Sequence, residues 1–277
     1  IRTSVSSVLK DEADSVTGGD GTRLRKTLVV AQVALCFLLL IGSGLFVQSL
    51  SNLRTLDPGF RADNLVRFKV NPPLSGYTPE RTKALYWDLQ QRLQRVPGVQ
   101  ATGFAVVPIM EGDEWDGTVT VEGYTPEQGE NMNPHFNSVS PAYFQSMGIP
   151  IKAGRDLEER DFRSPVKVAI VNETFARRYF KDKSPIGYHF GFGGRIDVVP
   201  DIEIIGVVGD SKYEDLNGEI PRQVFVLNQQ QEWASGMTVY VRTTRPSGEA
   251  ISAIRRTVGE IDASLPLFDL NTVEDQL

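Results

Sequence analysis

The 277-residue chain has one cysteine, Cys36, and two histidines, His135 and His189. A single thiol cannot close an intrachain disulfide, so no disulfide framework holds this fold, and cysteine usage is silent about compartment. Neither histidine has another histidine or a cysteine at metal-ligand spacing, which removes the usual zinc patterns. Two histidines leave little from which to build a Ser-His-acid triad, and no serine, histidine and acid pattern recommends one. A surplus of positive charge is also absent, since the formal net charge is −6. Nucleic-acid binding wants a basic face for the phosphates, so that class is set aside. No G-x-x-x-x-G-K-[ST] phosphate loop occurs. The glycine-rich "GFGGR" (Gly191–Arg195) is read as a loop or hairpin turn.

What the chain does have is one long apolar run. "TLVVAQVALCFLLLIGSGLFV", Thr27–Val47, carries no charge and one strongly polar side chain, Gln32. About twenty such residues, at a rise of ~1.5 Å each, span roughly 30 Å, the hydrocarbon thickness of a bilayer. A buried core helix of this length would show a polar face, and a signal peptide would have a shorter core and a small-residue cleavage site. The run is therefore read as a retained membrane span. Arg23, Arg25 and Lys26 crowd its N-terminal side, and the first basic residue beyond it is Arg54. The positive-inside rule puts residues 1–23 in the cytoplasm and everything after about residue 50 outside. Leu50, Leu53 and Leu56 keep helical spacing, so residues 24–56 are predicted as span plus stalk, stopped by Asp57-Pro58-Gly59.

The exported part opens with "NLVRFKVN", a strand by its alternation of Leu65, Arg67 and Lys69 against Val66, Phe68 and Val70. Next comes a helix with Thr78 as N-cap, Pro79 in first position and an apolar face of Tyr86, Leu89, Leu93 and Val96. Pro97-Gly98 ends it, and "VQATGFAVV" is a second strand. The far end repeats the plan: strand "MTVYVRTT", a helix with Ile251, Ile254, Val258 and Ile261 on one face, then the short strand "LPLFDL". Two β-α-β units of this kind read as a split ferredoxin-like α+β sandwich. Its halves are residues 57–110 and 237–277, with residues 111–236 as a β-rich inserted subdomain. Inside the insertion, Ser140 is the expected N-cap of a helix with Pro141 first and Gly148 as its stop, and Asn172 caps another.

Three patches invite chemistry. "EGDEWDG" (Glu111–Gly117) groups four carboxylates but lacks the EF-hand order, so a solvated acidic loop is expected rather than a calcium site. "LEERDF" is read as a charged loop or helix face on the same reasoning. Asp210, at the end of "VVGD", is either a general base or a turn cap. No catalytic, cofactor-binding or metal-binding residue is assigned, no cofactor is expected, and substrate-binding residues stay unassigned.

"RLRKTLVVAQVALCFLLLIGSGLFVQSLSNLRTLDPGF" resembles the first membrane helix and stalk of MacB/FtsX-type ABC transporter permeases. "FNSVSPAYFQSMGIPIKAGRDLEERD", "VAIVNETFARRYF", "PIGYHFGFG" and "IEIIGVVGDSKYEDLNGEIPRQVFVLNQQ" are similar to consecutive stretches of the MacB-like periplasmic core domain, in the same order. The span resembles that of the second half of internally duplicated bacterial permeases. The resemblance implies a split "porter" subdomain with an inserted "Sabre" subdomain, held at the bacterial inner membrane with the domain in the periplasm. It also implies that this stretch is a fragment, since three further helices are expected after "NTVEDQL". The implied partners are the membrane, a separate ABC ATPase subunit, a second permease half or protomer and a periplasmic adaptor, with no nucleic acid. The implied function is non-catalytic mechanotransmission, in which cytoplasmic ATP hydrolysis moves the domain to do export or envelope work. The alternative is the extracytoplasmic sensor domain of a single-span receptor, which would show a ligand pocket and a signalling helix near the C-terminus.

Overall fold

In the computed structural model, residues 19–55, 57–181, 183–194, 198–213 and 218–276 are described. The chain divides into two compact units, residues 1–56 and 57–277. In the first, helix α1 runs unbroken over Gly19–Thr55. Its stretch Arg23–Gln48 has mean hydropathy 2.4 and none of it is buried. Leu38, Leu40 and Phe46 are each about two-thirds exposed. A helix apolar on all sides and covered by nothing in its own unit suits a hydrocarbon surround, by length and composition. Residues 1–18 of the expected cytoplasmic segment, and Leu56 of the stalk, lie outside the described residues.

The second unit begins with the predicted pair of β-α-β units. Strand β1 is Leu65–Val70, helix α2 Pro79–Gln94 and strand β2 Val99–Ala105. At the far end stand β10 (Met237–Thr243), α5 (Ser247–Ile261) and β11 (Phe268–Thr272). The α2 cap is as read: Thr78 Oγ1 accepts from Arg81 N at 3.4 Å, and Pro79 occupies the first position. The four strands lie in the order β11-β1-β10-β2 with antiparallel neighbours throughout. So β1 and β2 run parallel with β10 between them, and β10 and β11 run parallel with β1 between them. That interleaving is the ferredoxin-like arrangement. Val66, Phe68 and Val70 meet Tyr86, Leu89 and Leu93 of α2, and Ile254 and Val258 of α5, in one apolar cluster, with Ile251 packed at its border.

The opposite face of β1 departs from simple alternation. Leu65 and Arg67 are also buried, Leu65 in a second cluster with Tyr143, Phe144 and Tyr240. The sheet is covered on both faces because it does not end at β2. Ala105 pairs with Val139, joining β4 (His135–Val139), and the order continues through β9 (Gln223–Leu227), β6 (Lys167–Asn172), β8 (Ile202–Val208), β7 (His189–Phe192) and β3 (Val119–Val121). A last strand, β5 (Ile151–Gly154), pairs with β8. The pairs β4/β9 and β6/β8 are parallel, which makes this a mixed sheet.

One local reading is corrected and another is resolved. Ser140 does not cap a helix: its Oγ accepts from Phe104 N at 3.0 Å. Helix α3 therefore starts later, at Tyr143–Met147, behind Ala142 in the left-handed region, and stops at the left-handed Gly148 as expected. "LEERDF" takes the helical of its two readings. It forms a 3-10 turn over Glu159–Arg163, with Asp161 only 3% exposed. Arg155 donates to both Asp161 carboxylate oxygens at 2.7 Å, and a bidentate pair of this kind lets the carboxylate be buried. Asn172 caps α4 (Glu173–Phe180) as read, accepting from Phe175 N at 2.9 Å.

Candidate functional site

The residues that sequence reasoning set aside as possible chemistry are scattered. Among the described residues no group of three or more His, Cys, Asp or Glu could hold a metal. In the acidic run, Glu111 turns inward to Arg67 and Lys69, Asp116 accepts from Asn133 at 3.4 Å, and Asp113 and Glu114 are exposed. Asp210 is a cap. It accepts from Thr174 N at 2.8 Å, Thr174 Oγ1 at 2.9 Å and Arg177 Nη2 at 2.7 Å, which places it on the first turn of α4. His189 Nδ1 lies 3.1 Å from Glu122 at the surface. Gly193 N donates to Thr118 O at 2.7 Å at the end of β7, and Arg195 of the glycine-rich stretch lies outside the described residues.

A densely tied polar region lies instead where the first and last segments of this unit meet. Residues 57–64 follow α1 in sequence. Asp57 Oδ1 accepts from Gly59 N at 2.9 Å and shapes the turn. Gly59 is left-handed, at φ +76°, where a Cβ is disfavoured. The segment is then fastened by Arg242 of β10. Its guanidinium, 6% exposed as a residue, donates to the carbonyls of Ser146 at 2.7 Å, Asp63 at 2.7 Å and Arg61 at 2.6 Å. Burial holds the Arg242 pKa below the ordinary arginine value, with Asp63 working in the opposite direction. Arg61 N adds a bond to Met147 O at 2.8 Å, and Thr243 N one to Asn64 O at 3.0 Å. A buried cation satisfied by three backbone carbonyls fixes the chain path more than it offers chemistry.

On the C-terminal side, Arg67 of β1 gathers three elements. Its Nε donates to Asn271 of β11 at 3.1 Å and its Nη1 to Gln276 at 2.8 Å, while Nη1 also pairs with Glu111. Lys69 donates to Glu111 at 2.6 Å and stands 3.2 Å from Asp269. Burial lowers the Lys69 pKa, but the two carboxylates outweigh it and the net direction is upward. Gln276 Nε2 donates onward to the carbonyls of Ile109 at 3.0 Å and Met110 at 3.2 Å. The ends of the unit are therefore neighbours: Val66 faces Thr272 across the β1/β11 pair, and Val273 N donates to Leu65 O at 2.9 Å. Arg67, Arg242 and Gln276 were not singled out from sequence. The available signal was an arginine inside each of two alternating strands, "LVRFKV" and "MTVYVRT", at positions a one-faced sheet would leave to solvent.

Comparison with known proteins agrees with this architecture. The family described as MacB-like periplasmic core domain matches residues 27–260. Among solved structures, the periplasmic region of MacB from Actinobacillus actinomycetemcomitans superposes with TM-score 0.53 at 14% identity, covering 81% of this chain and 95% of that one. The extracellular domain of the noncanonic ABC-type transporter YknZ from Gram-positive bacteria gives TM-score 0.47 at 16% identity, covering 74% of this chain and 100% of that one. No curated protein matches this sequence. At these identities the structural likeness is one of fold.

Proposed function

We propose that this chain, which belongs to the family of MacB-like periplasmic core domains, is the moving outer part of an ABC transporter permease and does its work without a catalytic site. A separate ABC ATPase hydrolyses ATP in the cytoplasm, and the membrane helices carry the resulting movement to residues 57–277. A second permease half or protomer and a periplasmic adaptor complete the assembly. Arg23, Arg25 and Lys26 set the orientation, with the domain outside the inner membrane. Within the domain we assign residues 57–110 and 237–277 to a porter part and 111–236 to an inserted part, after the two β-α-β units that bracket the chain.

One observation supports the mechanical reading above the others. The incoming strand β1 and the outgoing strand β11 are hydrogen-bonded neighbours, and the segments beyond them are fastened by Arg242 and by Arg67. Movement arriving along either end is taken up by one stiff sheet, as a rigid-body transition requires. The test uses a fluorophore at Val199, which is exposed, and an acceptor dye among the lipid headgroups. The permease and its ATPase are reconstituted together and cycled between ATP-bound and nucleotide-free states. The expected result is a change in the fluorophore-to-bilayer distance with nucleotide state, lost in Leu53→Pro, which removes a hydrogen bond from α1. A distance that never changes with nucleotide would sink the reading.

A further inference from the structure

We propose that the loop Gly209–Tyr213, which follows β8, is the element that hands movement of the incoming segment to helix α4 of the inserted part of the domain. The inference rests on the mechanical reading above and assigns its route. The loop touches the incoming chain directly: Lys212 N donates to Pro58 O at 2.8 Å. At the next residue the two backbones meet without a side chain between them. A Cβ on Gly59 would stand 2.2 Å from the Asp210 carbonyl oxygen and 2.8 Å from Ser211 Cα. Neither partner is the end of a flexible side chain, so the contact needs glycine for its closeness as well as for its left-handed backbone.

Behind this contact the same loop grips the insertion. The Asp210 carboxylate holds the first turn of α4 through Thr174 N, Thr174 Oγ1 and Arg177, and Asp210 N donates back to Glu173 at 3.4 Å. Ahead of it, Tyr213 O accepts from Met110 N at 2.8 Å, at the last residue before the insertion. One five-residue loop thus bonds the incoming segment, the α4 helix and the point where the chain first crosses into the insertion. Two other routes exist: Arg61 N donates to Met147 O at 2.8 Å, which ties the incoming segment to α3, and the sheet joins the two parts through β2 and β4. The sheet route passes β1, β10 and β2 and crosses to β4 at the Ala105/Val139 pair, flanked by Val106 N to Ser138 O and Ser140 N to Phe104 O, both at 3.0 Å. A displacement at Pro58 reaches Thr174 through three consecutive residues of the loop, so for α4 the loop is the shorter and more directly bonded path. Coupling of this kind has to be measured rather than read from proximity.

Amide hydrogen exchange on the full chain in lipid nanodiscs measures it, with two variants that act from opposite ends. Gly59→Ala pushes the loop away from the incoming segment. The expected result is roughly tenfold faster exchange at the Thr174 and Met110 amides, with β1 and β10 amides at their wild-type rates. Thr174→Val removes the hydroxyl bond to Asp210 without touching residues 57–64, and should accelerate the Lys212 amide that is bonded to Pro58. In the double variant the two effects should combine to less than their product, as coupled sites do. Acceleration confined to residues 57–64 in Gly59→Ala, an unmoved Lys212 amide in Thr174→Val, or a uniform acceleration that includes β1 and β10 in both variants each overturns the proposal. The experiment needs no ATPase. Its failure therefore leaves ATP-driven movement of the domain open, and a failure of the nucleotide-dependent distance change leaves this route intact.

Discussion

Arg67 Nη1 and Gln276 Oε1 are 209 residues apart in sequence and 2.8 Å apart in space. The bond ties the first strand of the domain to the segment beyond its last, and the Gln276 amide carries the tie onward to Ile109 and Met110. Glu111 completes the knot between Arg67 and Lys69. Replacing Glu111 with Gln leaves a nearly buried guanidinium short of its counter-charge. Glu111 is itself partly solvated, so the loss should be about 2 kcal/mol, below the full value for a broken buried pair. Gln276→Ala should cost about 1 kcal/mol through its lost hydrogen bonds. Urea unfolding of the full chain in detergent, followed by tryptophan fluorescence, checks both. Midpoints equal to wild type would mean the knot is decoration.

The clustered faces of α2 and α5 give a harsher test. Leu89 is fully buried among Phe68, Phe104 and Ile254. Leu89→Ala should cost about 3 kcal/mol as a cavity, and Leu89→Asp several kcal/mol more because the charge has no partner there. Thermal unfolding of the two variants should separate them clearly. Equal melting temperatures for Leu89→Asp and wild type would remove α2 from the core.

Asp156 offers a pH signature. Burial pushes its carboxyl up to about 6 from 3.8, against the opposing bond from Leu157 N and alongside the repulsion of Glu158. A carboxyl raised by folding is favourable to the folded state only while protonated. Its benefit is complete below about pH 4 and is lost as pH climbs through about 6. Asp156→Asn keeps an acceptor for Leu157 N but cannot ionise. The variant should therefore be more stable than wild type at pH 7, by on the order of 1–2 kcal/mol. The gap should close as pH falls below about 4. Parallel stability curves at all pH values would contradict this assignment.

Orientation is testable without any purified protein. A reporter that works only outside the cytoplasm, fused after Gly59, should be active, and replacing Arg23, Arg25 and Lys26 with Glu should weaken or invert that result. Activity of a cytoplasm-only reporter at the same point would reverse the assignment of sides.

Elements governed by neighbours in sequence were legible beforehand. The apolar run of α1, the Thr78 cap with Pro79, the Asn172 cap and the two apolar helix faces all follow from residues within a few turns of one another. Their joint placement on one sheet also followed, because strand-helix-strand order leaves few topologies. What stayed hidden depends on distant partners. Ser140 reads as a helix cap until Phe104, 36 residues earlier, is seen to take its hydroxyl. Asp161 looks solvated until Arg155 folds over it, and Arg67 looks outward-facing until Glu111, Asn271 and Gln276 are seen to close on it. The tied ends at Arg242 and Gln276 draw on backbone carbonyls, which no side-chain pattern announces.

The neighbouring placement of β1 and β11 gives the domain two different stiffnesses. The strands are antiparallel, so the start of β1 and the end of β11 lie at the same end of the pair, closed by the bond from Val273 N to Leu65 O. If both ends are driven the same way along the strands, β1 is loaded in shear against all of β10, and many ladder bonds bear the force together. If the ends are drawn apart sideways, the bonds between β1 and β11 are peeled one at a time, beginning with Val273. The domain is therefore stiff to common motion of its two ends and yielding to differential motion, and the Arg67–Gln276 bond sits where peeling would start.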